Sequence, residues 1–164
     1  AAEIETEGIQ IRESTFGLQN ILVHEGVLTK KSPTTKEMDD VKYGWKIAQE
    51  IGALDIGQCV VVRKQVIVAV EAVEGTDATI RRGGLLACKG AVLVKRCKPQ
   101  QDLRFDLPAV GPGTIEVMSE VQASVLAIEA HKTVILDREE MLQKANQFGI
   151  AIIGVTAQGK LPNY

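Results

Sequence analysis

The sequence predicts an α/β fold, a layered domain in which helices flank a mixed β-sheet. Aromatic residues make up only 4% of the 164 residues and hydrophobic residues 45%, so the core must consist mainly of Val, Ile, Leu and Ala. Such a core favours buried strands. Short runs rich in Val and Ile alternate with amphipathic helical patterns. The charged fraction of 24% argues against a disordered chain.

The beginning of the sequence has the pattern of an interrupted domain. Residues 1–8 read as the last turns of a helix that ends at a glycine, and residues 9–11 continue as a strand. We therefore expect a fragment of a longer two-domain protein. Residues 1–30 would be a linker and the remnant of an N-terminal domain. Residues 31–155 would form the α/β domain, followed by a frayed tail over 156–164.

Helical periodicity predicts a long amphipathic helix that is capped by Thr34 or Thr35 and ends at Gly52. Trp45 lies on its apolar stripe, and we interpret it as a core residue. Further helices are predicted over residues 14–22, from 74–77 up to 86, over 114–121 and over 138–148. Ser14 or Thr15 is expected to cap the helix over 14–22, Thr114 the helix over 114–121, and Asp137 the helix over 138–148.

Runs rich in β-branched residues predict strands over residues 59–63 and 66–73. Lys64 and Gln65 would join them in a β-hairpin, although the pair lacks the Asn-Gly type of sequence that two-residue turns favour. Further short strands are predicted over residues 91–95, 125–128, 134–136 and 150–155.

Residues 96–113 form a long segment without periodicity that contains Pro99, Pro108 and Pro112. Loops of this length are uncommon in compact domains unless they are functional or disordered, and the charges and apolar residues of this one favour function. Its apolar residues suit either the core or an apolar groove; they are Leu103, Phe105, Leu107 and Val110.

Composition narrows the class of protein further. The net charge of -2 gives no reason to expect a nucleic acid as partner. The three cysteines follow no metal-binding spacing and are interpreted as reduced thiols of a cytoplasmic protein. The sequence shows no apolar run as long as a membrane span and no signal peptide.

Two charged clusters interrupt the ordinary pattern. In the first, residues 71–77 place Glu74, Gly75, Thr76 and Asp77 between a strand end and a helix start, and Arg81 and Arg82 follow one turn later. Ligands of α/β proteins collect at strand ends, and helix N-termini attract anions. Gly75 would allow a ligand to approach the backbone closely.

The second cluster covers residues 95–106 and carries four cationic residues and two aspartates. Its candidate site residues are Lys98, Asp102, Arg104 and Asp106. A second glycine-flanked helix start, residues 111–114, follows it and brings in Thr114.

Together the clusters contain the groups that hydrolysis of a pyrophosphate needs. Carboxylates hold Mg²⁺ through oxygen ligands, cationic side chains bind phosphate oxygens, and a metal-bound or deprotonated water attacks phosphorus. Asp77, Asp102 and Asp106 would be the catalytic and metal-binding carboxylates, with Glu74 as a further metal ligand. Lys98, Arg104, Arg81, Arg82, Gly75, Thr76 and Thr114 would bind substrate.

A structural explanation remains open for both clusters. Asp77 suits the first turn of a helix, Arg81 lies at ion-pair spacing from it, and Asp102 and Arg104 could be surface charges. His24 and His131 do not resemble a catalytic pair, since each lies in a separate loop or turn. The sequence contains no Gly-x-Ser-x-Gly elbow and no Walker loop.

The same segments resemble a known family. The Glu-Gly-Thr-Asp run at 74–77, Arg-Arg-Gly-Gly at 81–84, and the run from Lys98 to Pro108 with its Asp-Leu-Arg-Phe-Asp-Leu-Pro are similar to the UDP-2,3-diacylglucosamine pyrophosphatases of lipid A biosynthesis. This is the form found in bacteria that lack the calcineurin-like enzyme. The resemblance extends from about residue 8 to about residue 155 and departs at Gln65, where the family usually has Asp-Gly or similar.

The resemblance implies a Mg²⁺-dependent hydrolase, with Mn²⁺ as an alternative, that releases UMP and 2,3-diacylglucosamine 1-phosphate (lipid X). Water is expected to attack the phosphorus nearer the sugar. The family has an essential aspartate, which the match places on Asp106, with Asp77 and Asp102 next. The chain would be the C-terminal catalytic domain.

The resemblance also implies partners. They are a lipid-linked nucleotide sugar as substrate and the missing N-terminal domain, without which the fragment could be inactive. A homodimer and a peripheral contact with the inner membrane are compatible with this interpretation. Two alternatives stay open: a domain that binds a nucleotide sugar or lipid phosphate without hydrolysing it, and an interaction domain whose charged loop docks a protein.

Overall fold

The computed structural model describes residues 6–8, 10, 17, 19–102 and 106–159. A 3₁₀ turn, Gln19–Ile21, precedes the regular elements, and the rest of the predicted helix over 14–22 lies largely outside the described residues. The α-helices are α1 (Thr35–Ala53), α2 (Thr76–Ala87), α3 (Pro112–Glu120) and α4 (Arg138–Phe148). The strands are β1 (Gly26–Val27), β2 (Cys59–Arg63), β3 (Val66–Val70), β4 (Val92–Lys95), β5 (Ala109–Val110), β6 (Val125–Glu129), β7 (Val134–Ile135) and β8 (Ala151–Val155).

In the described part of the chain, six strands form one mixed sheet in the order β1-β8-β6-β4-β2-β3. Strands β4, β6 and β8 are parallel, whereas β1, β2 and β3 each run antiparallel to the strand beside them. We call the edge where β4, β6 and β8 end the carboxyl edge. Cys59 pairs with Lys95 and Val60 with Val70, so β2 begins and β3 ends at this same edge.

Helices cover both faces of the sheet, which confirms the predicted layered α/β fold. Helix α1 packs on one face through an apolar cluster that includes Trp45, Val60 and Val62, so Trp45 is a core residue as predicted. Helices α2, α3 and α4 cover the other face, where Val61 and Leu126 lie in a second cluster. Because both faces are covered, the strands are apolar almost throughout rather than alternating.

The helix starts differ in how they are capped. Thr34, one of the two predicted caps, precedes α1 and forms a capping box with Glu37. The prediction that Thr114 caps a helix was wrong, because α3 begins earlier, at Pro112, after Gly111. Proline is well suited to the first helical position, since its φ is already helical and it has no N–H to satisfy. Asp137 precedes α4 as predicted, but its side chain makes no capping hydrogen bond.

The predicted β-hairpin of β2 and β3 is confirmed, and its turn residues have unusual backbone angles. Lys64 and Gln65 have φ of 51° and 58°, as a type I′ turn requires. Asp40 of α1 is 3% exposed and accepts hydrogen bonds from the N–H groups of Lys64 (3.0 Å) and Gln65 (2.5 Å). A carboxylate from another element therefore supplies the stabilisation that an Asn-Gly turn would have supplied locally.

The long segment over 96–113 is more ordered than predicted. Its end forms β5, which pairs in parallel with β7 in a small separate sheet. Val110 is buried in the core, and Leu107 is half-buried, while Leu103 and Phe105 lie outside the described residues.

The predicted frayed tail begins with a short ordered turn over residues 156–159. The N–H of Gly159 donates to the carbonyl of Thr156 over 2.8 Å. This turn lies beside α1, because a Cβ on Gly159 would come within 3.0 Å of Trp45 Cδ1. Across the described residues, no helix combines the length and the apolar character that spanning a membrane requires.

Candidate functional site

Most of the buried charged side chains that the structure describes lie at the carboxyl edge of the sheet. Lys95 ends β4, Glu129 ends β6 and Glu71 follows β3 directly. Their exposed fractions are 6%, 1% and 5%. Burying a charge is unfavourable unless it is paired and hydrogen-bonded. The partners of these three groups therefore determine which of them could bind a ligand.

A hydrogen-bonded line connects the first predicted cluster to β4. Lys95 Nζ donates to Thr76 Oγ1 over 3.1 Å, and that hydroxyl donates to Glu71 Oε1 over 2.7 Å. The N–H of Gln58 donates to the second carboxylate oxygen, Glu71 Oε2, over 3.2 Å. Lys95 Nζ also donates to the carbonyl of Ala109 over 3.1 Å. The start of α2 and the segment after Asp106 are therefore bonded to the same ammonium.

Two glycines shape the backbone around this line. Gly75 has φ of +83°, a conformation that side-chain-bearing residues rarely adopt, and no atom lies within 4 Å of the place where its Cβ would be. It thus leaves open space in front of the first turn of α2. Gly57 lies against the loop after β3, where a Cβ would sit 2.0 Å from the carbonyl oxygen of Glu71.

The remaining members of the first cluster form contacts that stabilise the fold. Glu74 accepts hydrogen bonds from Ala72 N, Thr79 Oγ1 and Arg82 Nη2. The pKa of its carboxyl is lowered first by a hydrogen bond from its own backbone N–H and then by the one from Arg82. Arg82 also donates to the carbonyl of Val70.

The other two charged residues of α2 lie further out. Arg81 Nε donates to Glu120 Oε2 of α3 over 3.0 Å. Asp77 is exposed in the first turn of α2. Helix N-termini favour such acids, so the position of Asp77 alone does not distinguish a catalytic role from a structural one.

A second group of charges lies at the end of β6. Glu129 Oε2 accepts from the N–H of Cys97 over 3.0 Å, and Arg96 Nε lies 3.6 Å from the same oxygen. Lys132 Nζ lies 3.1 Å from Glu129 Oε1 as an ion pair without hydrogen-bond geometry. Burial is the main reason that the pKa of Cys97 is raised to about 11, with Glu129 adding to it.

Arg96 fixes this group against α1. Its guanidinium carbon lies 4.5 Å from the centre of the Trp45 ring, and its nitrogens donate to the carbonyls of Trp45 and Ala157 and to Gln49. Burial lowers the pKa of Arg96, and the charge of Glu129 opposes part of that effect. Arg96 is therefore committed to the interior and does not face a ligand.

The predicted aspartates and cations of the second cluster lie beside this group. Asp106 is exposed, and its Oδ2 accepts from Gln101 Nε2 over 2.6 Å. The N–H of Asp106 donates to the carbonyl of Asp102 over 3.1 Å. Lys98 Nζ donates to Asp55 Oδ1 over 2.7 Å. Arg104 lies outside the described residues.

No group of three or more His, Cys, Asp and Glu side chains is placed to hold a metal among the residues that the structure describes. Thr114 is half-buried in the first turn of α3, where its N–H donates to the carbonyl of Gly111. The roles of Asp77, Asp102, Asp106 and Glu74 as metal ligands therefore stay predictions.

Several residues at the carboxyl edge were absent from the predicted site. Lys95, Glu129 and Glu71 each stand at the end of an otherwise apolar strand, and that position is a signal visible in the sequence. Gln101 carries no such signal, because neighbouring Gln100 is identical in type and binds instead to the carbonyl of Gly52.

Two clefts of about 350 and 480 Å³ open elsewhere in the described structure, at the edge where the parallel strands begin. Their lining includes Ser124 and Gly90. The first cleft has no carboxylate on its wall, and the one on the second, Glu37, is already engaged in the capping box of α1. The second cleft also carries Lys36, Arg63 and Lys89, but it offers no carboxylate besides Glu37 to hold a metal.

Comparisons with known proteins show what this chain is similar to. The sequence model of the LpxI C-terminal domain matches residues 24–153. The chain is 37% identical to the UDP-2,3-diacylglucosamine pyrophosphatase LpxI of Caulobacter vibrioides over 95% of its own length, and it spans 59% of that curated relative. Among solved structures, form 1 of Acinetobacter baumannii RibD is similar over 71% of this chain and 35% of that one, with 14% identity and a TM-score of 0.43, from which we conclude nothing.

Proposed function

Since the chain belongs to the LpxI C-terminal domain family, we propose that it forms the catalytic part of a hydrolase that splits UDP-2,3-diacylglucosamine into UMP and 2,3-diacylglucosamine 1-phosphate in lipid A biosynthesis. The observation that supports this most is the 37% identity to a relative named for that pyrophosphatase activity. The chain spans only 59% of that relative, so the activity belongs to the whole protein.

In the proposed reaction, water attacks one phosphorus of the anhydride and the other phosphate leaves with its oxygen. The transition state concentrates negative charge on phosphate oxygens, so groups already aimed at those oxygens contribute most to the rate. Lys95 and Thr76 are held by hydrogen bonds beside the first turn of α2, in front of which Gly75 leaves open space. We assign this place to the phosphates.

Three cations of the predicted site pair with carboxylates: Lys98 with Asp55, Arg81 with Glu120 and Arg82 with Glu74. Ion pairs this exposed stabilise a protein by only about 0–1 kcal/mol. Each cation can therefore exchange its carboxylate for a phosphate oxygen with little loss. Arg104 and Thr114 complete the proposed substrate contacts.

The described residues are compatible with Mg²⁺, although they hold no three-ligand group. Mg²⁺ is commonly bound by one or two carboxylates, several waters and the phosphates of the substrate. Asp106 uses one carboxylate oxygen for Gln101, which leaves the other outside that hydrogen bond. Asp106, with Asp77, Asp102 or Glu74, would hold the ion, and Mn²⁺ could replace it. The ion would neutralise phosphate charge and lower the pKa of a bound water.

The acyl chains of the substrate require apolar surface beyond this edge. The chain spans only 59% of the curated relative. We therefore propose that the part of the protein outside this chain supplies some of this apolar surface. We also place the whole protein in the cytoplasm, at the surface of the inner membrane. Adding the remaining domain should then raise turnover, and an unchanged rate would contradict the two-domain site.

The direct test measures UMP release from UDP-2,3-diacylglucosamine by the full-length protein with Mg²⁺. We expect turnover that EDTA abolishes and that excess Mg²⁺ restores. Asp106→Asn and Asp77→Asn should each reduce the rate by about 100-fold or more, because each removes a fixed charge from the site. Binding of the substrate without UMP release would instead indicate a non-catalytic domain, and full turnover in both variants would reject this site.

A further inference from the structure

The side chain of Gln101 is bonded at both ends of its amide. Gln101 Oε1 accepts from the N–H of Lys98 over 3.2 Å, and Gln101 Nε2 donates to Asp106 Oδ2 over 2.6 Å. We infer that Gln101 is a positioning residue, which fixes the rotamer of Asp106 so that the carboxylate's other oxygen faces the metal or the attacking water. This inference rests on the proposed function, in which Asp106 takes part in hydrolysis.

The orientation of the amide follows from its donors. A backbone N–H can only donate, so the atom that faces Lys98 N must be the amide oxygen. The thiol of Cys97 donates to the same oxygen over 3.2 Å. The NH₂ group must then point towards Asp106, where a carboxylate can only accept.

One end of this arrangement is tied to the interior of the domain. The N–H of Cys97 donates to Glu129, which is 1% exposed and paired with Lys132. The main chain that presents Gln101 to Asp106 is thereby tied to the end of β6. Asp106 is held a second time through its own N–H, which donates to the carbonyl of Asp102 over 3.1 Å.

The chemistry of an amide suits this task better than that of a cation. A lysine or arginine at position 101 would orient Asp106 as well, but it would neutralise the charge that a divalent cation needs. An amide donates one hydrogen bond and leaves the carboxylate with its full negative charge. Partners that orient metal-binding side chains in this way typically contribute about 10- to 100-fold to metal affinity or activity.

The test compares Gln101→Ala and Gln101→Glu with Gln100→Ala and Gln100→Glu in the full-length protein. Gln100 is a matched control, because it has the same side chain one residue away and donates to the carbonyl of Gly52 rather than to Asp106. Gln101→Glu keeps the shape of the side chain but sets a second carboxylate against Asp106. We expect both Gln101 variants to lower kcat by about 10- to 100-fold with KM changed little, and the Gln100 variants to stay within about twofold.

A double-mutant cycle with Asp106→Asn separates positioning from a general effect on folding. If Gln101 acts through Asp106, then Gln101→Ala should lower kcat further by less than about twofold in the Asp106→Asn background. Binding of Mn²⁺ alone, followed by electron paramagnetic resonance, should weaken in Gln101→Ala and not in Gln100→Ala. Thermal melting of each variant checks that it is folded.

Each failure has its own signature. An inactive Asp106→Asn with unaffected Gln101 variants overturns the positioning role and leaves the proposed function intact. Equal losses from Gln101→Ala in both backgrounds overturn it as well, since they indicate a structural effect. Full turnover in Asp106→Asn removes the role of both residues while hydrolysis by another site stands. Absence of hydrolysis in the unaltered protein contradicts the proposed function itself.

Discussion

Replacing Asp40 should destabilise the protein although Asp40 lies far from the candidate site. Asp40 is 3% exposed on α1 and accepts the two N–H groups of the hairpin turn, from Lys64 over 3.0 Å and from Gln65 over 2.5 Å. Both turn residues have positive φ, at 51° and 58°. For residues other than glycine that conformation costs about 1–2 kcal/mol each, so the turn depends on an outside partner.

The magnitude follows from the two hydrogen bonds. A hydrogen bond to a charged group contributes about 1.5–3 kcal/mol, and water can partly replace Asp40 at an exposed turn, so we expect Asp40→Ala to lower the free energy of unfolding by about 3 kcal/mol. For a domain of this size, about 2–4 °C in Tm corresponds to each kcal/mol, which predicts a decrease of about 6–12 °C.

Thermal and urea denaturation followed by circular dichroism measure this change, with Asp39→Ala as the control. Asp39 is adjacent on the same helix, but its side chain is 45% exposed and lies 3.7 Å from Lys42 Nζ, a pair worth about 0–1 kcal/mol. Equal Tm values for the two variants would refute the role of Asp40. Changing Gln65 to Gly should raise the free energy of unfolding of both the Asp40→Ala and the Asp39→Ala variant, since glycine adopts positive φ freely.

Two further predictions concern the carboxyl edge. Gly57→Ala should lower the free energy of unfolding by about 2 kcal/mol, because the new Cβ would sit 2.0 Å from the Glu71 carbonyl oxygen. The control is Gly113→Ala, whose Cβ meets nothing within 4 Å and which should be neutral or slightly stabilising. Urea denaturation measures both variants. Burial raises the pKa of Cys97 to about 11, above its ordinary value of 9.0, so its thiolate forms in the folded protein only near pH 11. Iodoacetamide at pH 8 should therefore label exposed Cys88 before Cys97, as read by peptide mass spectrometry, and rapid labelling of Cys97 at pH 8 would contradict its burial. The contribution of Cys97 to the free energy of unfolding should be lost as the pH rises from about 9 to about 11.

The parts of the fold that could be predicted from the sequence are those with strong local patterns. The period of α1 and its cap at Thr34 are visible in the sequence, as are the two strands of the hairpin. The pairing of β5 with β7 could not be predicted, because two residues are too few to show alternation and the partners lie far apart in the chain. The predicted start of α3 is wrong, because the helix begins at Pro112, whose φ is already helical, rather than after a capping threonine.

Within the candidate site, residue types could be predicted but partners could not. The sequence indicates that Lys98 and Asp106 belong to a functional segment, yet the structure pairs Lys98 with Asp55, 43 residues away. Neither the choice of Gln101 over Gln100 as the partner of Asp106 nor the contact of Glu129 with Cys97 has a local signal. Such pairs depend on how the strand ends are brought together, which one sequence does not reveal.

Lys95 explains why the two predicted clusters meet at one edge. Its ammonium lies 3.1 Å from Thr76 Oγ1 and 3.1 Å from the carbonyl oxygen of Ala109, so it bonds the start of α2 to the segment that leads from Asp106 into α3. Because Lys95 is the last residue of β4, its position is set by the sheet. A charge fixed in this way needs no rearrangement when a phosphate binds, whereas Lys98 must first leave Asp55. On the proposed function, Lys95 therefore supplies the preorganised part of the positive field and the exposed cations supply the part that adapts to the substrate.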